Sequence, residues 1–482
     1  MKTNYFFSAL AAVILSFFSL SVFFSCEVAS PVETPSYDES LSSSLTTRSD
    51  TKGGCEDFEV SKEMAIAYAE SFKDRPQIVS VEEYEFHGKT CLYIINFEKG
   101  WMVVPSDSRI QPIQGENSEG SLYYSKLDNP GVKLWLDHSA ETVYFIKETG
   151  LSEYDENNVV LWNTISSSIS DQNSNRSLDP EEVAWVKCFY TTSSTTTVAN
   201  VDHLISTKWG QGTPFNSTFP YIPNTNERFS AGCTPVAVSQ ILRYFNGYTG
   251  TPNALWHTIT PSVAPADSGY TISLIRSDYT ANSTRWSNMP LRATDTGDFS
   301  YISDLLLDVG ERFMAEYYPY GTGATITTTK LANCGISCQQ GNYNYSTVRS
   351  SIVNNKPVLI EGGKYENNNE IVHHTWVIDG CTDYTVTTNL YAIYYRYQEG
   401  VLYPTGSQFL SDNDVLSVYP NAYDGMSVLC SSTPATIQYL LMNYGWYGEF
   451  DSGQYNINGY NWALGFNILL YTYHNISTSQ LY

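Results

Sequence analysis

The stretch Phe229-Ser230-Ala231-Gly232-Cys233-Thr234-Pro235-Val236-Ala237-Val238-Ser239-Gln240-Ile241-Leu242-Arg243-Tyr244-Phe245 decides how the rest of this chain is read. Ala237, Ile241, Tyr244 and Phe245 recur at the spacing of one apolar helical face, and Pro235 suits a first helical turn, where its missing N–H costs nothing. Gly232 permits a tight turn into that helix, so the pattern puts Cys233 at its mouth. A thiol there faces unpaired N–H groups and the positive end of the helix dipole, which favour the thiolate. That arrangement prepares a sulfur nucleophile, although the same spacing also suits a cysteine that is only a small buried hydrophobe.

Working outward, 482 residues leave room for two to four domains of about 100 to 200 residues each, with a sizeable core. The 38 tyrosines and the frequent Thr, Ser and Asn favour β-rich and loop-rich structure over a helical bundle. A formal charge of −24 repels a polyanion and argues against nucleic acid as a partner.

Residues 1–26 read as an address: Lys2 supplies the positive start, an apolar run extends from Tyr5 to Phe24, and Ser25-Cys26 closes it. A small residue before a cysteine at that point matches a bacterial lipoprotein signal, with Cys26 lipidated. Phe23 and Phe24 keep ordinary secretory cleavage open. The expected location is therefore exported, at the cell surface, facing the periplasm, or secreted after maturation, and any membrane contact is through the lipid. Residues 27–55, rich in Ser, Thr, Pro and acid, read as a flexible tether.

Nine cysteines stand at positions 26, 55, 91, 188, 233, 334, 338, 381 and 430. With Cys26 and Cys233 set aside the remainder is odd, so complete pairing is impossible. Cys334 and Cys338 suit either a local disulfide or half a metal site; with no second pair at zinc-like spacing, neither a metal nor a cofactor is expected.

A first domain over 56–162 begins with a helix from Ser61, a natural N-cap, to Phe72; strands are predicted at Ile78–Phe86, Cys91–Glu98 and Trp101–Pro105, then a helix at Val132–Glu148. Residues 163–185 form a polar interruption, where proteolytic nicking concentrates. Residues 186–482 make up the remaining domain. There Ile371-Val372-His373-His374-Thr375-Trp376-Val377-Ile378-Asp379-Gly380 reads as a strand, with His374, Trp376 and Ile378 on one face and His373, Thr375 and Val377 on the other. Paired histidines serve as proton carriers, metal ligands or half-buried structural groups, and the residues alone leave these open.

Taken together, these segments resemble the streptopain family (family C10) of papain-like cysteine peptidases. The resemblance rests on the Gly232-Cys233 segment, Trp209-Gly210-Gln211-Gly212 before it, the His374-Thr375-Trp376-Val377-Ile378-Asp379-Gly380 run, and Asn443-Tyr444-Gly445-Trp446-Tyr447-Gly448. In the amino-terminal part it rests on Val60–Ala65, Leu92–Glu98 and Trp101–Ile113. It implies an α+β fold: a papain-like catalytic domain, its nucleophile helix packed on an antiparallel sheet or barrel, preceded by a small α+β pro-domain that inhibits until removed. It also implies an exported zymogen of a cysteine endopeptidase acting on protein or peptide substrates. Cys233 would be the nucleophile, His374 the base, Gln211 an oxyanion donor beside the Cys233 N–H, and Asn443 the group that orients His374. Tyr444 and Trp446 would shield Asn443, Gly232 would shape the nucleophile turn, Gly321 and Gly323 would border the cleft, and Trp376 would support the base. Three departures stand out: His373 occupies a usual glycine position, Tyr444 replaces a tryptophan, and Tyr447 replaces another glycine. A long insertion, strand-like over Tyr384–Val401, separates His374 from Asn443. If these departures spoil the site, a non-catalytic binding protein on a peptidase scaffold results; the same groups would also serve a thiol acyltransferase or amidase.

Overall fold

Ser61 caps the first helix, α1 (Lys62–Glu70), accepting from the Met64 N–H at 3.2 Å as its sequence position predicts. The computed structural model describes residues 58–150, 154–173, 184–248, 255–266, 269–281, 283–366, 369–398, 401–404, 428–457 and 468–478. The leader with Cys26, the tether to residue 55 and residues 174–183 of the expected linker lie outside the described residues.

Strands β1 (Ile78–Phe86), β2 (Lys89–Phe97), β3 (Trp101–Pro105) and β4 (Gly115–Asn117) follow α1 as an antiparallel meander. β2 is apolar at successive positions because both its faces are covered. Leu92 and Ile94 pack with the helix α2 (Pro130–Thr149), while Tyr93, Ile95 and Phe97 pack with α1 and α3 (Glu156–Asn173). Asn129 starts α2 by accepting from the Gly131 and Val132 N–H groups, Pro130 fits its first turn, and Gly150 ends it at φ 63°.

Helix α3 corrects the expected linker, since residues 163–173 are helical. Leu161, Trp162 and Ile165 are buried against α1, and the polar residues between them turn their hydroxyls back onto the helix. Thr164 donates to the Val160 carbonyl and Ser167 to the Asn163 carbonyl, both at 2.8 Å. The serine run Ser166–Ser168 therefore belongs to an amphipathic helix.

Beyond the linker come β5 (Ala184–Val201), α4 (Cys233–Tyr248), β6 (Leu255–Pro265), β7 (Tyr270–Ala281), α5 (Ser283–Asn288) and α6 (Phe299–Arg312). Next are β8 (Glu316–Tyr318), β9 (Gly321–Gly323), α7 (Thr328–Asn333), β10 (Ile336–Asn342) and α8 (Tyr345–Val353). The last are β11 (Val358–Glu366), β12 (Asn369–Gln398), β13 (Val401–Pro404), β14 (Val428–Asn443), β15 (Gln454–Tyr455) and β16 (Ile468–Thr478).

A single antiparallel sheet runs β1-β2-β3-β4-β15-β14-β12-β11-β16-β10, with β5 and β13 also paired to β12; β6 to β9 form a second, smaller sheet. The mixed α+β class is as expected, but the amino-terminal region is not a separate body. β4 pairs with β15, and Trp135 of α2 donates to the Asn456 carbonyl at 2.8 Å while its ring meets Tyr455 edge-on. Hydrogen bonding and a shared apolar core thus continue across the expected boundary.

The main sheet separates two layers. α4 and α6 pack on one face with Leu359, Val377 and Tyr473, and α2 packs on the other with Ile360, Trp376, Ile378 and Met442. The insertion after His374 is mostly more sheet, since β12 pairs with β5 and β14 along much of its length; residues 405–427 lie outside the described residues. Among the described residues Cys91, Cys233, Cys334, Cys338 and Cys381 are free thiols. No helix among them is long and apolar enough to cross a membrane.

Candidate active site

α4 begins at Cys233, as the apolar spacing predicts, with Val236, Ala237, Val238 and Ile241 buried. Gly232 precedes it at φ 87°, and a Cβ there would stand 2.9 Å from that of Thr322. Both the conformation and the space demand glycine. The hydroxyl of Thr322 in β9 donates to the Ser230 carbonyl at 2.7 Å, so the short hairpin of Gly321 and Gly323 is tied to the nucleophile turn. Around Gly321 there is open space, since a Cβ there would meet nothing within 4 Å.

Gln211 lies on the neighbouring segment. Its carbonyl accepts from the Ala231 N–H at 2.8 Å and its Oε1 from the Ser230 hydroxyl at 3.5 Å. The segment is clamped from its other side by Tyr447, whose hydroxyl accepts from the Gly212 N–H at 2.9 Å and whose N–H donates to the Trp209 carbonyl at 3.2 Å. Tyr447 keeps a glycine-like backbone, φ 61°, and a Cβ at Gly210 would stand 2.5 Å from its ring. The tyrosine thus holds the loop that carries Gln211.

β12 brings both histidines to this place. Val377 faces the α4 layer and Trp376 and Ile378 the α2 layer, so the alternation of the strand is as expected. Next to Cys233, the Thr234 hydroxyl lies 3.0 Å from that of Thr375, which binds the start of α4 to the face of β12 that carries His373. His373 Nε2 lies 2.8 Å from Glu361 Oε1 on β11. Burial works against ionisation of Cys233, but hydrogen bonding to His373 and then to His374 prevails and holds the thiol well below its ordinary range.

His374 is only 1% exposed, so its surroundings are protein on all sides. Its Nε2 lies 2.9 Å from the Tyr444 carbonyl; a carbonyl only accepts, so Nε2 carries the proton. Trp376 stacks on the imidazole at 5.9 Å and Trp446 meets it edge-on at 6.3 Å.

Asn443 is bonded to groups other than His374. In the antiparallel register it lies opposite Val377, on the face away from His374. Its Oδ1 accepts from Gln240 Nε2 at 3.0 Å and its Nδ2 donates to the Thr207 carbonyl at 2.7 Å, wholly inside the core. The polar group against the imidazole is the Tyr444 carbonyl, and the Trp446 ring meets it as well.

Several supports were not singled out from the sequence. Gln240, two turns beyond Cys233, gathers Thr207, Trp209 and Asn443 on its amide. Asp451, buried, accepts from the Tyr444 N–H at 3.0 Å and pairs with Lys208, holding the turn that presents the Tyr444 carbonyl. Asp379 of the histidine motif pairs with His203 and accepts from the Ile205 N–H, a scaffolding role. Glu361 had a signal, an acid directly after the apolar run Val358–Ile360, but its partner lay out of sight on another strand.

No curated protein matches this chain. Among solved structures it is similar to a prointerpain A fragment of Prevotella intermedia carrying a cysteine-to-alanine mutation, at 17% identity over 82% of this chain and 98% of that one, with a TM-score of 0.46. It is also similar to active wild-type interpain A cysteine protease of Prevotella intermedia, at 20% identity over 57% of this chain and 95% of that one, with a TM-score of 0.36. The profile of a family described as Peptidase C10 matches residues 209–455, just over half of the chain. That span begins at the Trp209 loop, passes through the nucleophile helix and the paired histidines, and ends at the Tyr455 strand: the chain belongs to the peptidase C10 family.

Proposed function

We propose that this chain is the latent, exported precursor of a cysteine endopeptidase, with Cys233 as nucleophile and His374 as acid and base. The observation that carries this is Cys233 at the start of α4, tied through Thr234 to Thr375 next to His374 on β12, beside a loop that offers Gln211. With the thiol proton on His374, the thiolate adds to the peptide carbonyl carbon and the carbonyl pair moves to oxygen. The Gln211 amide and the Cys233 N–H serve that oxyanion; a fixed donor of this kind is worth about 2.7 to 4 kcal/mol. As the pair returns, the C–N bond breaks and the amine leaves with the proton of His374. The neutral imidazole then takes a proton from water, hydroxide adds to the thioester, and the thiolate is restored.

Latency is supported by the start of α2. A Cβ on Gly131 would stand 2.4 Å from the Tyr444 ring and 2.8 Å from the His374 ring, so the backbone of the amino-terminal region rests directly on the base. A leaving group has no room there until residues 58–173 are displaced. Cleavage within 174–183 starts that displacement, and it frees the catalytic part from a lipid on Cys26, if the leader ends there.

The test is labelling of the refolded chain by a peptide-epoxide probe before and after mild proteolysis, with mass mapping. An adduct on Cys233 that requires the cut and is lost in His374→Ala is the expected result. A folded, cut protein that takes no adduct and cleaves no peptide overturns the reading.

A further inference from the structure

The second histidine has a use of its own, and the inference rests on the peptidase reading above. His373 stands where the family it resembles has glycine, on the strand face that meets α4. Three contacts place it. Thr234, adjacent to Cys233, touches Thr375 at 3.0 Å, one step along the same face. Glu361 on the neighbouring strand lies 2.8 Å from His373 Nε2. The other oxygen of Glu361 accepts from the Tyr473 hydroxyl at 3.2 Å, so the carboxylate is itself held. The arrangement is an imidazole held by a carboxylate, on the strand face that meets the start of α4, where Cys233 stands.

We propose that His373, clasped by Glu361, is a fixed cation that keeps Cys233 ionised throughout the reaction, while His374 alone moves protons. The two imidazoles divide the work according to their acceptors. Tyr444 offers His374 a neutral carbonyl, which fixes a tautomer but adds little positive charge; that ring can release a proton to an amine and take one from water. Glu361 offers His373 a full negative charge, and a proton held between a carboxylate and a thiolate is not free to leave. Burial opposes a charge on His373, yet hydrogen bonding to Cys233 and Glu361 prevails and pushes it up to about 11. The ionisable groups around the pair are Cys233 of α4, His374 of β12, Glu361 of β11, Tyr473 of β16 and Lys330 of α7, whose charge interacts with Glu361.

Because thiolate content does not depend on the peptide cleft, it can be read on the full chain. The measurement is the rate of iodoacetamide alkylation of Cys233, by mass mapping, from about pH 5 to 9, with peptide hydrolysis followed on the same preparations after mild proteolysis. His373→Gln and Glu361→Gln should each slow alkylation near about pH 6 by tenfold or more and move its rise toward that of an ordinary thiol, about 8.5. His373→Lys, which restores a cation, should recover most of the rate. His374→Gln should move the alkylation profile less than His373→Gln does while ending hydrolysis. If the His373→Gln and Glu361→Gln profiles coincide with the wild type, if His373→Lys is as slow as His373→Gln, or if His374→Gln alone moves the profile, the inference is overturned. A wild-type chain that alkylates readily but hydrolyses no peptide after processing overturns the peptidase reading instead, and the alkylation profiles still decide the role of His373.

Discussion

The two faces of β12 have the same backbone and opposite chemistries. The face of His374 is built for exclusion: Trp376, Trp446 and Tyr444 wall the imidazole, and the Gly131 backbone closes it over. The face of His373 is built for charge: Glu361 bonds to it, Tyr473 bonds to Glu361, and on the same face Thr375 meets Thr234. An apolar box leaves an imidazole uncommitted and able to exchange its proton, whereas a charged box commits it. One residue of offset along a strand separates the two environments, because side chains alternate.

The largest break in the comparison comes from the walled side. His374→Gln removes the proton carrier, and the rate of peptide hydrolysis by the processed protein should fall by about 10²- to 10⁴-fold, while denaturant midpoints change little. Gly131→Ala should come next, since its Cβ cannot fit between Tyr444 and His374. Overpacking of that kind costs about 1 to 3 kcal/mol, and here the loss falls on the seat of α2. The uncut chain should therefore take the peptide-epoxide probe measurably faster than wild type; unchanged labelling would mean that α2 does not govern access.

Asn443→Ala sharpens the contrast between orienting and supporting groups. It strands the Gln240 amide in the core at a cost of about 1 to 3 kcal/mol, seen in equilibrium unfolding. Hydrolysis per folded molecule should stay within a few-fold of wild type, because the Tyr444 carbonyl orients His374. A collapse of kcat in a stable Asn443→Ala protein would restore Asn443 to the catalytic set. The smallest effect is expected from Tyr447→Phe, which removes only the acceptor of the Gly212 N–H, a loss of about 0.5 to 1.5 kcal/mol. Its readout is a modest fall in kcat with KM nearly constant, as the Gln211 loop loosens.

Much of this was legible from local pattern. The cap at Ser61, the apolar face of α4 and the alternation around His374 depend on neighbours within a few residues, and the structure has them where the sequence predicts. The helix over 163–173 was missed for a reason equally local: serines that bond back to their own helix look like a linker in composition. The bonding of Asn443 was not legible because parity across paired strands cannot be read from one strand. Only the register opposite Val377 shows that its amide points away from the histidine.

By itself, the sequence determined the residue types, their periodicity and their order, and the resemblance these carry to the C10 family implied the α+β class and marked out the Trp209, Cys233 and His374 segments. The tertiary structure decided how they combine: that the amino-terminal strands join the catalytic sheet through β4 and β15, that a backbone carbonyl orients His374, and that Glu361 holds His373. The physical reason is range. Helix caps and side-chain alternation act over a few residues along the chain, whereas a hydrogen bond between strands acts over about 3 Å in space, and sequence separation does not encode which strands will meet.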